Sequence, residues 1–341
     1  MIISSNAFLK NLAVHRITDA GLTLSNQPIQ LDDEFTKEVL LKYFFKSFKD
    51  DPKFEFSHHT SLDLNDVYSC VSNIFDDPST LFEHSDSLAR LLFESSSHPN
   101  IKPGDFFTAY IEDVILDDEI IEVVGLFKAE NMDTFLKVIP NQNVFDINTD
   151  KGININKLDK GALIFNAGKA SGYVVLLVDN TNKDNGAQYW KDEFLKVKPS
   201  ENEFYKTQEL INMCQDFVLD SVPEEDKAER ISLVNESMNF LKKNDTFDKS
   251  DFEQTVLKKP ELIEKFNSFQ EETHLEVDFN KEEAFNISEA AVKQTKRFIK
   301  SVIKLDKNFH VYVHGNKENI EKGFDDSTNK NYYKLYFEEE S

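Results

Sequence analysis
The sequence predicts an α+β protein: an N-terminal mixed helix/antiparallel-sheet domain followed by a mainly helical C-terminal domain closing on strands. Three observations predict it. Helical and strand periodicities occupy separate blocks of the chain. Hydrophobic residues make up 40% of 341, with 30 Phe and only 10 Gly, which is enough apolar material for a real core and too much for a disordered polyanion. The strongest polar break, 179–186 (DNTNKDNG), places the domains at 1–180 and 187–341, in line with roughly 150 residues per domain.

The elements follow in order. Residues 12–17 and 22–24 are short strands turned by Asp19, Ala20 and Gly21. Residues 33–48 place Phe35, Leu41, Phe44, Phe45 and Phe48 largely on one helical stripe, with Asp32 or Asp33 at the cap. Residues 64–75 and 81–94 repeat the helical pattern, the second stopped by SSSHP. The period then changes. Residues 106–116 and 120–129 form a hairpin about Asp117 and Asp118, and 135–139, 153–158, 162–166 and 173–179 continue as strands. Beyond the break, 190–197, 204–219, 224–241, 251–258, 260–270 and 286–300 read as helices, the last with Asn286 and Glu289 at capping-box spacing. Strands at 303–313 and 332–337 close the chain.

Charge restricts function. There are 62 acidic against 39 basic side chains, a net charge of -23. The arginines are Arg16, Arg90, Arg230 and Arg297, a poor supply for bidentate reading of base edges. No N-terminal signal pattern stands out, and the apolar runs are strand-sized rather than membrane-sized. Cys70 and Cys214 form no CxxC pair and read as reduced thiols. The expectation is a cytoplasmic protein without a membrane anchor.

No catalytic residue, metal site or cofactor is predicted. Gly161 to Ser171 has the outline of a phosphate loop, but its first glycines stand seven residues apart instead of five. Ala170 occupies the magnesium-binding position, and a strand follows where a helix is needed. A hairpin turn explains the segment better. His310 and His314, on a strand, would stand roughly 13 Å apart, too far to share a metal at ligand distances of about 2 Å. His58 and His59, if extended, face opposite ways. Acidic pairs such as Asp32-Asp33, Asp76-Asp77 and Asp117-Asp118 sit at helix starts and turns, where they cap.

One local feature opposes the acidic whole. Lys293, Lys296, Arg297 and Lys300 recur at spacings of three and four, forming a cationic stripe opposite Ile287, Ala291, Phe298 and Ile299. Segment 281–304 holds six basic and three acidic groups, whereas 216–280 holds 17 acidic and 8 basic. A stripe of this kind is either a solvated helix face or a contact to a phosphate backbone.

Asp226, Lys227, Ala228, Glu229 and Arg230 open a helix, followed by Phe240-Leu241 and the 248–257 segment. Together with Phe145-Asp146-Ile147-Asn148, Tyr189-Trp190, Phe194-Leu195 and Phe217-Val218-Leu219-Asp220, this resembles the bacterial nucleoid-associated protein family of the NdpA type. The resemblance covers roughly 100–341; the first hundred residues match only in order of elements. It implies a cytoplasmic, nucleoid-located homodimer without catalytic residues to carry over, and the DKAER segment is most simply structural. Three functions remain in view. The first is a non-enzymatic protein that binds nucleoid DNA weakly or non-specifically through the basic stripe. The second is an acidic adaptor that reaches the nucleoid by binding a DNA-processing enzyme. The third is a metal-dependent nuclease using scattered carboxylates.

Overall fold
The computed structural model describes residues 2–95, 102–141, 144–181, 189–223, 226–273, 277, 279, 284–295, 302–305, 309–312, 319–337 and 339. The class is α+β, as the periodicities predict. Two compact units divide the chain, Met1–Ser200 and Glu201–Ser341.

In the first unit, β1 (Ile2–Ile3), β2 (Phe8–Thr18) and β3 (Gly21–Thr23) precede α1 (Glu34–Phe45), β4 (Lys53–Phe56), α2 (Asp66–Asp76) and α3 (Leu81–Ser95). Then follow β5 (Gly104–Leu116), β6 (Glu119–Ala129), β7 (Met132–Asn141), β8 (Val144–Ile153), β9 (Lys160–Phe165), β10 (Val174–Asp179) and β11 (Val197–Pro199). Nine of these strands form one antiparallel sheet in the order β11-β4-β10-β9-β6-β5-β2-β3, with β1 also on β5. The hairpin between β5 and β6 turns on Asp117 and Asp118, both at positive φ (49° and 70°), the combination that suits the twist of tight hairpins.

Both sheet faces are buried, because strand alternation sends adjacent residues to opposite sides. Phe106, Tyr110, Val124, Leu126, Ala162 and Ile164 face α2 and α3, with Trp190 and Phe194 in the same core. Phe107, Val123, Phe127, Leu163 and Leu176 face the other way, against Tyr43 and Phe44 of α1. Phe44 stacks on Phe127 at a centroid distance of 4.0 Å. Asn65 caps α2 by accepting from Tyr68 N–H, while its amide donates to the carbonyls of Ser57, Leu195 and Lys196. One buried side chain thereby joins a helix start to the segment before β11.

The second unit packs α4 (Glu203–Ser221), α5 (Lys227–Lys243), α6 (Lys249–Phe252), α7 (Pro260–Glu272) and α8 (Glu289–Thr295), with β12 (Thr246–Asp248) paired to β13 (Ala284–Asn286). Its core is phenylalanine-rich: Phe217 meets Phe266 and Phe240 meets Phe252 edge to face, and Phe247 packs on Phe285. Two hairpins follow, β14 (Val302–Leu305) with β15 (Phe309–Tyr312), and β16 (Ile320–Asp325) with β17 (Lys330–Leu335).

Several sequence expectations are corrected. The strand expected at 153–158 does not form: β8 ends at Ile153 and the chain then turns, where Asn154 accepts from Asn156 N–H through its side chain and from Lys157 N–H through its carbonyl, local bonds that compete with extension. The single strand expected at 303–313 is the β14/β15 hairpin. Residues 190–197 form a π-helical turn, Tyr189–Leu195, and then β11; both belong to the first unit, beyond the polar break at 179–186. The expected cap Asn286 lies in β13 and donates to Glu203, while Ser288 caps α8. Strands β4, most of β8, and β16 carry no clear strand period; KFEF is short and charged and is decided by pairing to the distant β10 and β11, whereas β8 and β16 form local hairpins with β7 and β17.

Phe44→Ala removes a stacked ring at zero exposure, and it should destabilise the first unit by about 3–5 kcal/mol. Urea unfolding followed by the fluorescence of Trp190, the single tryptophan, which is buried in that unit, measures the loss.

Candidate functional site
Strand register aligns His15, Phe106, Lys128, Lys160 and Asp179 in one row across β2, β5, β6, β9 and β10. Parity places the row on the face that carries α2 and α3. Lys128 and Lys160 interrupt otherwise apolar strands and are 0% and 1% exposed. Lys128 Nζ donates to the Lys102 carbonyl at 2.8 Å and to Tyr189 Oη at 3.1 Å, and pairs with Glu130 Oε1 at 3.1 Å. Tyr189 Oη donates to that same Glu130 oxygen at 3.0 Å. Lys160 Nζ donates to both Asp179 oxygens, at 2.7 and 2.8 Å, and to Thr181 Oγ1 at 2.7 Å. The Tyr189 ring stands 5.4 and 5.1 Å from the two ammonium groups.

Burial lowers the Lys128 pKa against the opposing pull of Glu130, and burial raises that of Tyr189. Perturbed groups in a cluster are the usual mark of a site. Here each ammonium meets three partners, its full complement of donors. The row is therefore a closed network rather than a receptor for an incoming anion. Sequence reasoning missed it, although a lysine inside an apolar strand run was the available signal.

At the far end of the row His15 is buried. Its Nδ1 accepts from Ser25 N–H at 3.2 Å, so the ring proton sits on Nε2, which donates to Ser85 Oγ at 2.8 Å. Burial lowers the His15 pKa from 6.5, opposed by Asp86 at 3.8 Å.

The residues singled out in the sequence fall elsewhere. Asp226 caps α5 by accepting from Glu229 N–H. Arg230 reaches back to the end of α4, where Nε donates to the Val222 carbonyl and a terminal guanidinium nitrogen to that of Leu219, both at 2.8 Å. It thereby satisfies carbonyls that the helix end leaves open. Ala228 is buried against Ile303, Lys227 is exposed, and Glu229 lies 3.7 Å from Lys259. Lys293 is exposed on α8 beside buried Ala291 and Val292, and its Nζ lies 2.6 Å from Glu289. Lys296, Arg297 and Lys300 lie outside the described residues.

The outline of a phosphate loop is a hairpin turn: Gly168 and Gly172 take positive φ (70° and 107°) between β9 and β10. A Cβ on Gly172 would stand 2.3 Å from the Phe56 carbonyl oxygen, so the position tolerates no side chain. Burial pushes the thiols of Cys70 and Cys214 up to about 11 and about 12, far from the reactive thiolate range. His58 and His59 border a surface hollow of about 790 Å³ with Glu55, Asp192, Lys196 and Lys198. Its charges are mixed, with Lys198 3.1 Å from Glu55. Among the described residues no group of three or more His, Cys, Asp or Glu is placed to hold a metal ion.

A family model described as nucleoid-associated protein YejK matches residues 11–334. The match includes most of the first hundred residues, which by sequence alone resemble that kind of protein only in order of elements. No curated protein matches the chain. Among the described residues no helix is long and apolar enough to cross a membrane.

Two measurements probe these contacts. Arg230→Met should lower the stability of the second unit by about 1.5–3 kcal/mol, the scale of a lost charged hydrogen bond, read from the denaturation midpoint by circular dichroism. For His15 the folded pKa lies below the unfolded one, so the unfolded chain takes up a proton first as pH falls. Its contribution is full above about pH 6.5 and is lost as pH drops toward the folded value. The first unit should therefore lose more stability between about pH 7.5 and about pH 5 than a His15→Gln variant does.

Proposed function
The chain belongs to the nucleoid-associated protein family, and from that premise we propose that it is a non-enzymatic cytoplasmic homodimer that binds nucleoid DNA weakly and without sequence preference. The contact is the basic stripe of Lys293, Lys296, Arg297 and Lys300. The observation that carries this reading is a local inversion of charge: 281–304 holds six basic and three acidic groups in a chain of net charge -23. Fields from distant acids fade over a Debye length of about 8 Å at physiological salt, so a short basic segment can act on a phosphate backbone at contact range. The same acids oppose long-range approach, and four cations neutralise few phosphates. Affinity is therefore modest, and it depends on phosphate rather than on base identity. The closed lysine row supports a non-enzymatic reading, because its perturbed groups are consumed in pairing with one another.

A second reading rests on the acidic segment 216–280, with 17 acidic and 8 basic groups. An adaptor with this surface would reach the nucleoid by holding a basic DNA-processing enzyme, and it would compete with DNA for that partner.

Binding of the pure protein to duplex DNA across a salt series separates the two. Direct contact through four cations gives a slope of log affinity against log salt of about -3 to -4. Reversal by Lys293→Glu, Lys296→Glu, Arg297→Glu and Lys300→Glu should flatten that slope and remove most of the affinity. Unchanged affinity in the reversed variant rules out this surface. Partners retained from nuclease-treated lysate by a protein that does not bind DNA favour the adaptor.

A further inference from the structure
Residues 24–33 join β3 to α1 without regular structure. Leu24 packs into the core on the α2 and α3 face of the sheet, and Leu31 into the core on the α1 face, so the segment crosses the edge of the sheet. Two backbone N–H groups tie it to β2. That of Ile29 donates to the Leu12 carbonyl at 3.0 Å, and that of Ser25 donates to His15 Nδ1 at 3.2 Å. Between these ties Asn26, Gln27 and Pro28 are exposed. β3 pairs with Arg16, Ile17 and Thr18 of β2, and at Leu12 the edge of β2 is taken up by this strap instead. A bare edge would offer unpaired N–H and C=O groups to any extended chain.

The tie at Ser25 is the titratable one. His15 Nδ1 accepts there, Nε2 donates to Ser85 Oγ at 2.8 Å, and that hydroxyl donates onward to the Phe82 carbonyl at 2.6 Å. A neutral imidazole has one acceptor and one donor, and both are in use. A proton taken up at Nδ1 turns the acceptor into a second donor facing the Ser25 N–H, and the tie is lost. The Nε2 side accommodates the charge: Asp86 Oδ1 lies 3.8 Å away, buried and without a hydrogen-bond partner. The other elements around the ring bring no competing charge. β5 places Phe106 opposite His15, and neither β3 nor 24–31 carries a titratable side chain. On α3, Glu83 and Arg90 are exposed and His84 is half-buried. Arg16 and Asp105 pair with each other, and Lys128, beyond Phe106 in the row, pairs with Glu130.

We propose that residues 24–31 form an acid-released strap, pinned over the edge of β2 by neutral His15 and freed when that ring takes up a proton. The device lies outside the basic stripe and does not rest on the preceding reading. Burial, with Asp86 opposing, holds the ring neutral at neutral pH, so the strap is closed there and opens on acidification. The charged ring stays with Ser85 and Asp86 on α3, whereas the Ser25 N–H loses its acceptor and turns to water. The Ile29 tie is then the one backbone bond left between the strap and β2. Leu24 and Leu31 remain seated at the two ends as hinges, and the exposed chain between them lifts from the edge. A segment this short and this exposed belongs to the low-stability end of local opening, which lets a single proton control it without unfolding the sheet beneath.

Hydrogen exchange of the full chain, followed by mass spectrometry between about pH 7.5 and about pH 5 and corrected for the intrinsic pH dependence of exchange, tests the strap. Protection of the 24–31 amides should fall about fivefold or more over that range, the factor of one lost hydrogen bond, while the amides of β5 and β6 stay within about twofold. His15→Gln keeps an acceptor for Ser25 and a donor for Ser85 but does not titrate, and its 24–31 protection should hold steady across the range. Asp86→Asn keeps the side-chain size and removes the charge that favours the imidazolium. It should move the midpoint of the loss to lower pH by about half a unit or more, which decides the matter even where the Gln variant folds poorly. Protection of 24–31 that does not change with pH, or that falls equally in His15→Gln, overturns the proposal. So does a loss shared by β5 and β6, which is unfolding of the unit, and so does an unmoved midpoint in Asp86→Asn, which places the proton on another group.

Discussion
Two buried lysines constrain the first unit more tightly than any apolar contact in it. Lys128 and Lys160 lie side by side on adjacent strands, beneath one tyrosine ring and out of reach of water. Burying an ammonium costs several kcal/mol unless it is paired and hydrogen-bonded. Glu130, Asp179, Thr181, Tyr189 and the Lys102 carbonyl supply that pairing. The consequence is register. A one-residue slip of β6 against β9 would turn the slipped strand's lysine to the opposite apolar face, away from its partners. Apolar side chains tolerate many packings; two buried charges tolerate very few. The row also explains why the π-helical turn Tyr189–Leu195 belongs with the sheet, since Tyr189 completes the network and Trp190 donates to the Gly161 carbonyl.

The acidic excess is distributed by the same logic. Carboxylates serve locally at helix starts, where Asp33, Asp226 and Asp248 each accept from the backbone three residues on. Elsewhere they pair with lysines across strands or helices, as Glu236 does with Lys258 and Asp150 with Lys137. Neither use needs a pocket. Against this background the acid-free face of the β7–β8 arm and the net-positive 281–304 segment are the exceptions. Exceptions to a uniform field are where association can occur without electrostatic opposition.

The class, the order of helices, the central hairpin and the resemblance to the nucleoid-associated family were legible in the sequence, because they depend on local periodicity, caps and turn residues. Apolar stripes such as Val67, Val71 and Ile74 on α2 bury one helix face whatever the partner. Asp117-Asp118 marks a hairpin turn from its residue types alone. Non-local facts were not legible. Whether KFEF becomes a strand depends on β10 and β11, which lie more than a hundred residues away. Whether Lys128 is a surface charge or a buried anchor depends on Tyr189. The sequence by itself determined the class, most of the helices, the central hairpin and how charge runs along the chain. Only the tertiary structure decided which faces meet, because cross-strand pairing joins residues whose separation in sequence carries no periodic signal. For the same reason it alone revealed that Leu136, Val138, Phe145 and Ile147 of the arm are exposed.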